Sequence, residues 1–444
     1  MTLLVISPDY ASHLLPLATL ATAWRDAGER VVVASGPATA ALTAEFGFAR
    51  TDLRLGRGSN PGVIRAQEQV AGEDDALRGF FAATRHGMVP TLRYQADARR
   101  NDLLWDPVDT ARRVLAVVDH VRPDHVIVDH LAFSARLALV AGSVPHADVV
   151  LGHPSALPVG PEVYGYPPAW PAAFTPDPDE LAALHRRCEQ VRDAFTAEWN
   201  AALAELAPAL GPSADAFAEH GAQVLLNYPA ALHDPARTAL LPPHAFLGSA
   251  VREQPVPPDI AAWLADDPGT PLVYVSFGSF LSVRADVLGR VADALRALPV
   301  RVALAVGSAD PAVLGELPDA WLVREFLPQV ALLEHAAVTV THGGNNSVTE
   351  ALTAGVPMLV LPFSTDQFAG AAAVVDGGVG LALDPNVASP AELGAAVSEL
   401  LDGSSGGIAA ALGAGLRERP GRDVAMAAIT RRPSGPLAAE HRPG

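Results

Sequence analysis

The chain has 444 residues, half of them hydrophobic, and its 31 basic and 49 acidic residues give a formal net charge of −18. That length is enough for two domains, each with a hydrophobic core. The negative charge argues against nucleic acid and anionic membrane surfaces as partners, so a phosphate-bearing ligand would have to be held by a local arrangement of donors.

The apolar segments and the cysteine content narrow the class of protein. No uninterrupted apolar run approaches the roughly 18 residues that a membrane-spanning helix needs. The opening MTLLVIS lacks a basic segment and a cleavage site, and we interpret it as a first buried strand. Cys188 is the single cysteine, which rules out an internal disulfide and favours a reducing, cytoplasmic setting.

Short β-branched runs alternate with helical patterns along the chain. In order they are TLLVIS (2–7), RVVVAS (30–35), DHVIVD (124–129), HADVVLG (146–152), PLVYVSFG (271–278), VRVALAVG (300–307), AAVTVT (336–341) and VPMLVLP (356–362). Continuous apolar strands with helices between them indicate parallel sheets covered on both faces. The two sets predict an α/β protein with two Rossmann-like domains facing across a cleft.

The Pro-rich, polar segment GSAVREQPVPPD (248–259) interrupts both periodicities, which is typical of a linker. We therefore expect an N-terminal domain over 1–250 and a C-terminal domain over 251–415. Residues 416–444 are rich in Gly, Pro and Arg and are expected to form a partly disordered tail.

The segment THGGNNSVTE (341–350) joins a predicted strand to a predicted helix that ends at Gly355. Gly343 and Gly344 allow the backbone to come close to a ligand, and the free N–H groups of the next helical turn favour an anion. The turn therefore predicts an anion site. A capped helix with a polar first turn is the alternative.

Side chains around this turn extend the predicted site. His342 and Ser347 can donate hydrogen bonds to an anion. Glu350 lies about 12 Å beyond His342 at 1.5 Å per residue, and a carboxylate there suits a pair of sugar hydroxyls because it would repel a second phosphate. The spacing predicts a nucleoside diphosphate lying along the helix, with its phosphates at the amino end.

The next predicted strand is followed by FSTDQ (363–367), which places Asp366 and Gln367 at the carboxyl end of a strand. Ligands of open α/β sheets bind at these ends. An acid beside an amide can bind the hydroxyls of a hexose, although such a pair taken alone is more often a loop cap.

From Phe326 to Gln367 the sequence resembles the donor-binding signature of family 1 glycosyltransferases of the bacterial natural-product type, which have the GT-B fold and use nucleotide sugars. FLPQVALLEH (326–335) is similar to the opening of that signature, and GVPMLVLPFSTDQ (355–367) is similar to its close. Between them, HGGNNSVTE keeps the His, the Gly, the Asn-Ser pair and the Glu in register.

The resemblance implies a role for each matching position. Phe326 would stack on the base, where many relatives have Trp, and Gln329 would lie near the ribose or the base. His342, Asn346 and Ser347 would hold the diphosphate. Glu350 would hold the ribose, and Asp366 and Gln367 would contact the transferred sugar. Because a carboxylate can accept from both ribose hydroxyls, Glu350 favours UDP over dTDP.

VSFGS (275–279) ends the first predicted strand of the second domain. Gly278 and Ser279 could donate to the diphosphate from this position. A plain strand-to-helix turn is a close alternative.

The turn after the first strand contains His13, in ISPDYASHLLP (6–16), and no glycine fingerprint for a dinucleotide. In the resembling family a Gly-His pair followed by Pro occupies this turn, whereas here it is Ser12-His13 with Pro16. A neutral histidine, with a reference pKa of about 6.5, can accept a proton from a hydroxyl.

Asp129 ends a predicted strand of the same domain. In the resembling family an Asp at this strand end pairs with the His and stabilises the imidazolium. We therefore expect His13 and Asp129 to form a catalytic pair. The alternatives are a surface or capping histidine, and an aspartate that caps the following helix.

Aromatic residues and one histidine in the less regular parts of the N-terminal half are candidates for acceptor binding. They are Phe80, Phe81, Trp105, Phe133, His153 and Tyr164. They suggest a small, largely apolar acceptor such as a natural product, but the same side chains could equally pack the domain core.

Together the resemblance and these patterns predict an inverting glycosyltransferase that moves a hexose, expected to be glucose, from a UDP-sugar to an acceptor hydroxyl. The C-terminal domain is expected to bind the nucleotide sugar, and the N-terminal domain is expected to bind the acceptor. No strand-end Asp-x-Asp and no His/Cys ligand cluster is found, so no metal and no cofactor beyond the nucleotide sugar are expected. The alternatives are a dTDP-deoxysugar donor, a nucleotide-sugar epimerase or hydrolase, and a catalytically silent binding partner on the same scaffold.

Overall fold

A computed structural model describes residues 1–60, 73–99, 103–278, 284–307 and 314–431. It contains two parallel β-sheets, of seven and six strands, with helices between successive strands. A cleft lies between the two halves. The predicted pair of Rossmann-like α/β domains is therefore confirmed.

The N-terminal sheet has the strand order β3-β2-β1-β4-β5-β6-β7. Its strands are β1 (Thr2–Ile6), β2 (Arg30–Ser35), β3 (Ala49–Asp52), β4 (His125–Asp129), β5 (Ala147–Val150), β6 (Gln223–Leu226) and β7 (His244–Phe246). The helices are α1 (Ala11–Asp26), α2 (Ala40–Glu45), α3 (Glu73–Thr84), α4 (Met88–Arg99), α5 (Pro107–Val121), α6 (Phe133–Ala141), α7 (Pro178–Leu206) and α8 (Pro235–Thr238).

The C-terminal sheet has the order β10-β9-β8-β11-β12-β13. Its strands are β8 (Leu272–Ser276), β9 (Arg301–Ala305), β10 (Leu322–Arg324), β11 (Val338–Thr341), β12 (Met358–Val360) and β13 (Gly380–Ala382). Its helices are α9 (Pro258–Asp266), α10 (Ala285–Arg296), α11 (Gln329–Leu333), α12 (Asn345–Ala354), α13 (Gln367–Asp376), α14 (Pro390–Asp402), α15 (Ser405–Glu418) and α16 (Gly421–Thr430).

Both faces of the N-terminal sheet are buried. Leu3 and Val5 of β1 belong to one hydrophobic cluster, and Leu4 and Ile6 belong to another. This alternation follows from the two-residue period of a strand, and it explains why the strand reads as a continuous apolar run.

In each sheet the strand order reverses at one point, where a cleft opens at the carboxyl ends of the strands. In the N-terminal sheet β1 lies between β2 and β4, and in the C-terminal sheet β8 lies between β9 and β11. The carboxyl ends of β1, β4, β8 and β11, with the residues just after them, carry His13, Asp129, Gly278 and His342. The topology alone thus brings the predicted catalytic and diphosphate residues to the mouths of the two sheets.

The cores of the two domains meet directly. Leu226 and Tyr228 of the N-terminal domain belong to the same buried cluster as Tyr274 and Val348 of the C-terminal domain. This shared cluster holds the two switch points on opposite sides of one cleft.

The end of the chain differs from the prediction. Residues 416–444 were expected to form a partly disordered tail, but α16 packs on α1 and β7 of the N-terminal domain. Ala425 is buried there, and Arg422 Nη1 donates to Asp26 at 2.9 Å. The Gly-, Pro- and Arg-rich composition obscured an apolar helical period in this segment, so the expectation is wrong for residues 421–430. The expected tail from 432 to 444 lies outside the described residues.

Within the described ranges, none of the helices combines the length and the apolar character that a membrane span requires.

Candidate active site

A cleft of about 890 Å³ runs between the carboxyl ends of the two sheets. The N-terminal domain contributes His13 and Tyr10 to its walls, and the C-terminal domain contributes His342, Glu350 and Asp366. The predicted catalytic and donor residues therefore meet in one space.

His13 and Asp129 form the predicted pair. His13, in the first turn of α1, places its Nδ1 2.7 Å from Asp129 Oδ2 at the end of β4. Asp129 is fully buried, and its Oδ1 accepts a hydrogen bond from the backbone N–H of Leu131 at 2.8 Å. This arrangement fixes the ring orientation and leaves His13 Nε2 to accept a proton.

Burial alone would lower the pKa of His13. The charge of Asp129, its hydrogen bond and the charge of Asp366 more than offset this effect, so the pKa lies above the ordinary 6.5. The aspartate thus stabilises the imidazolium, as a general base requires.

Three glycines lie close to His342 at the end of β11, and two of them, Gly278 and Gly344, make room for its ring. Gly343 has a φ of 83°, and a Cβ on it would lie 2.6 Å from Val360 Cγ1. A Cβ on Gly344 would lie 2.5 Å from His342 Nε2, and one on Gly278 would lie 3.0 Å from His342 Cε1. Gly278 and Gly344 are therefore required for the placement of the imidazole as well as for backbone approach. Ser279, the other residue predicted on this turn, lies outside the described residues.

Burial lowers the pKa of His342 to about 4, although the nearby backbone of Ser276 acts in the opposite direction. The imidazole is consequently neutral at neutral pH, and it can donate one N–H to an anion without carrying a charge of its own.

Glu350 is buried on α12, and both of its carboxylate oxygens have partners. Gln329 Nε2 donates to Oε2 at 2.6 Å, and Arg252 Nη1 donates to Oε1 at 3.2 Å. Tyr274 in turn donates from its hydroxyl to Gln329 Oε1 at 3.4 Å. Burial raises the pKa of Glu350, while Arg252 and Gln329 counteract part of that rise. Sequence reasoning missed Arg252, because it lies in the linker and carries no motif.

Two further donor-site predictions lie beside this group. Phe326 is 67% exposed in the wall of the cleft, where its ring is free to meet a planar base. Ser347 Oγ lies 3.4 Å from Gln329 Nε2.

Asp366 and Gln367 begin α13, and both side chains are engaged. Asp366 Oδ2 accepts from the backbone N–H of His153 at 2.6 Å, which links the two domains. Gln367 Oε1 accepts from the backbone N–H groups of Phe363 and Ser364. The amide nitrogen of Gln367 is therefore the part left for a ligand.

The first turn of α12 also joins the domains. Asn345 Nδ2 donates to the carbonyls of Leu151 at 2.7 Å and Asn227 at 2.8 Å, and Asn346 Nδ2 donates to the carbonyl of Ser12 at 3.1 Å. Asn346 was predicted to hold the diphosphate; the structure instead bonds it to the residue before His13. Asn345 was missed because its partners come from distant loops.

Comparisons with known proteins agree with this geometry. A family model described as UDP-glucoronosyl and UDP-glucosyl transferase matches residues 189–407, just under half of the chain. The vancomycin aglycone glucosyltransferase of Amycolatopsis orientalis is 37% identical over 149 residues, which cover 34% of this chain and 36% of that protein. The demethyllactenocin mycarosyltransferase of Streptomyces fradiae is 37% identical over 101 residues, 22% of each chain. The alignments thus span only about a third or less of these curated relatives.

Solved structures match over nearly the whole chain. The glycotransferase of kitacinnamycin has a TM-score of 0.63 at 23% identity and covers 96% of this chain and 98% of that one. The glycosyltransferase VinC, solved in complex with dTDP, has a TM-score of 0.67 at 19% identity, with 97% and 98% covered. These matches show the GT-B fold. Residues 189–407 are thus similar to the UDP-glucoronosyl and UDP-glucosyl transferase family, and the chain has the GT-B fold.

The predicted acceptor-binding residues of the N-terminal domain differ in part from the prediction. Phe80 and Tyr164 line the large cleft, and Trp105, Phe133 and Tyr164 line a neighbouring cavity of about 380 Å³. Phe133 is nevertheless a core residue, buried with its ring 5.1 Å from that of Phe195.

Phe81 and His153 line neither of these two cavities. Phe81 packs against the core of the C-terminal domain, as Phe80 also does in part. His153 is buried and its Nδ1 is 2.9 Å from Ser155 Oγ; burial and the charge of Arg237 lower its pKa to about 3. Both side chains therefore pack within the protein, and their contact with an acceptor stays a prediction.

Among the described residues, no three His, Cys, Asp or Glu side chains converge in a way that could hold a metal ion.

Proposed function

We propose that the protein transfers a hexose from a nucleoside diphosphate sugar to a hydroxyl of a small, largely apolar acceptor, with inversion at the anomeric carbon. One observation carries the proposal: the His13–Asp129 pair and the glycine turn at His342 line the same cleft from opposite domains. A base on one side and an anion site on the other are the two parts that such a displacement needs.

His13 Nε2 would take the proton of the acceptor hydroxyl as the oxygen attacks the anomeric carbon. Asp129 would hold the ring and balance the charge of the imidazolium. Because base and diphosphate site line the cleft from different domains, a sugar held between them would be attacked from the side of His13 and would lose the diphosphate on the side of His342. This placement supports inversion in a single step.

The departing diphosphate would be stabilised by the protein itself. The amino end of α12, the backbone of Gly343 and Gly344, and the side chains of His342 and Ser347 offer donors without a bound cation. We therefore propose a reaction that requires no metal and no cofactor besides the sugar nucleotide.

For the donor we propose UDP-glucose. Phe326 would stack on the uracil, and the carboxylate of Glu350 would accept from the ribose hydroxyls. Asp366 and Gln367 lie where a transferred hexose would be held.

A dTDP-linked sugar is the second candidate, and the Arg252–Glu350 contact favours it. A ribose diol must compete with Arg252 for Glu350 Oε1, whereas a 2′-deoxyribose does not need that oxygen. The neighbour VinC was solved with dTDP.

We propose a cytoplasmic location, because the chain has a single cysteine. Cys188 is buried and unpaired, and burial raises the pKa of its thiol to about 11, so it is not a reactive group.

The first test is His13→Ala, measured for transfer with UDP-glucose and for UDP binding. We expect transfer to fall by roughly 10²–10⁴-fold, the usual contribution of a general base. UDP affinity should stay within about twofold of the wild type. Ala11→Ser is the control, because Ala11 lies two residues before His13 in the same turn of α1. Equal loss of transfer and of UDP binding would contradict the assignment of His13 as the base.

A further inference from the structure

A second cavity, of about 380 Å³, lies beside the catalytic pair and shares His13 with the large cleft. Three arginines line it, Arg54, Arg57 and Arg99, and we call it the arginine cavity. Trp105 and Tyr164 add aromatic surface to its wall.

The guanidinium groups of these arginines are not neutralised. Within the described ranges, no carboxylate forms an ion pair or hydrogen bond with Arg54, Arg57 or Arg99. The carboxylate of Asp9, which also lines the cavity, is bound by the backbone N–H groups of Ala38 at 3.1 Å and Thr39 at 2.9 Å. The carboxylate of Asp9 is therefore already engaged by backbone donors.

The third arginine is held in place by its surroundings. The Arg99 guanidinium lies over the ring of Tyr164, 5.1 Å from the centroid. Gly165 has a φ of 86°, and a Cβ there would come within 3.3 Å of Arg99 Nη1. A stacked guanidinium with free N–H groups is pre-organised for a carboxylate or another planar anion.

The distribution of charge makes this cluster informative. The chain carries a net charge of −18, yet three arginines line one cavity next to His13, with Arg54 and Arg57 exposed and Arg99 half-buried. Arginine remains charged at all accessible pH values, so an anion in this cavity meets positive charge. A neutral, wholly apolar acceptor would gain nothing from this arrangement.

We propose that the arginine cavity binds an anionic group, such as a carboxylate, on the apolar acceptor of the proposed transfer reaction. This inference rests on the proposed function and narrows its substrate class. Because His13 lines both spaces, an acceptor anchored by its anion in the arginine cavity presents its remaining body, with the hydroxyl, towards His13 and the donor cleft.

The test uses two fluorescent probes that differ only in charge. Anilinonaphthalene sulfonate carries an anion on an aromatic body, and N-phenylnaphthylamine is the same body without it. We expect the wild-type protein to bind the sulfonate at least about tenfold more tightly, because hydrogen bonds to charged groups contribute about 1.5–3 kcal/mol. Arg57→Gln and Arg99→Met should each reduce that preference, and Arg99→Lys should retain part of it.

Arg30→Gln is the matched control, because it removes the same charge as Arg57→Gln. Arg30 is exposed at the amino end of β2 and does not line the cavity. Equal binding of the two probes, absence of sulfonate binding, or an equal effect of Arg30→Gln and Arg57→Gln would overturn the proposal. UDP binding is titrated in parallel: if UDP binds and the probe preference is absent, only this inference fails, whereas absence of UDP binding contradicts the proposed function.

A transfer assay extends the same test. Hydroxynaphthoic acid and its methyl ester, each offered with UDP-glucose, present the same hydroxyl with and without an anion. The acid should have the larger kcat/KM, and Arg57→Gln should remove the difference mainly through KM. A larger kcat/KM for the ester would contradict an anionic acceptor.

Discussion

The carboxylate of Asp129 determines the protonation state of His13, and this has a consequence for the pH profile. Burial lowers the pKa of His13 while Asp129 and Asp366 raise it above 6.5, and the base must be neutral to act. The kcat/KM for transfer should therefore rise with pH to a plateau, with its acid limb above 6.5.

Asp129→Asn removes the largest effect that raises this pKa, so burial then prevails. The acid limb should move to lower pH, and the plateau should fall by roughly 10²-fold or more because the imidazolium is no longer stabilised. Full pH–rate profiles of the wild type and of Asp129→Asn measure the position of the acid limb and the height of the plateau. An acid limb at the same pH in Asp129→Asn would mean that another group titrates.

Arg252 gives a second prediction for a single residue. Arg252→Met frees Glu350 Oε1, while Gln329 still holds Oε2. The freed oxygen can accept from the ribose 2′-hydroxyl, so the preference for UDP over 2′-deoxy-UDP should increase about tenfold. Because burial raises the pKa of Glu350, calorimetric titrations should be made at mildly alkaline pH.

Arg252→Lys is the control for this experiment, because it keeps a positive charge beside Glu350. Its preference should stay near that of the wild type. If Arg252→Met weakens both nucleotides equally, the arginine stabilises the site in general and does not select the sugar of the nucleoside.

At the level of elements, the parallel strands could be predicted because buried strands in such sheets are continuous apolar runs. The strands that escaped this pattern are β3, β6, β7, β10 and β13. Each has only three or four residues, and none lies within a longer apolar run of the kind that surrounds β12. The glycine turn before α12 could be predicted because its conformation depends on neighbouring residues in the sequence. The ring of His342, for example, leaves no room for a Cβ on Gly344.

The acceptor side could not be predicted in the same way. An aromatic residue in an irregular segment has the same sequence signature whether it packs a core, as Phe133 does, or lines a cavity, as Trp105 does. The Arg252–Glu350 and Asn345–Leu151 contacts join residues about a hundred or more positions apart. No local pattern encodes such pairs, so only the tertiary structure reveals them.

At the scale of the whole molecule, the chain crosses between the two domains twice. The linker after β7 crosses once, and the chain returns from α15, which packs on α12, to α16, which packs on α1. The helix that carries His13 is thus held by a segment that follows the donor domain. Ala425 lies in the buried contact, within the hydrophobic cluster under α1.

Ala425→Asp should release this return crossing. A charge in the buried contact should lower the free energy of unfolding by about 3 kcal/mol or more, seen as a lower urea midpoint. Ala427→Asp, at an exposed position of the same helix, is the control and should have little effect. Transfer should fall, because the position of α1 depends on α16. UDP affinity should be unchanged, because α12 and its glycine turn belong to the other domain. Loss of UDP binding at an unchanged urea midpoint would contradict this division of roles between the two domains.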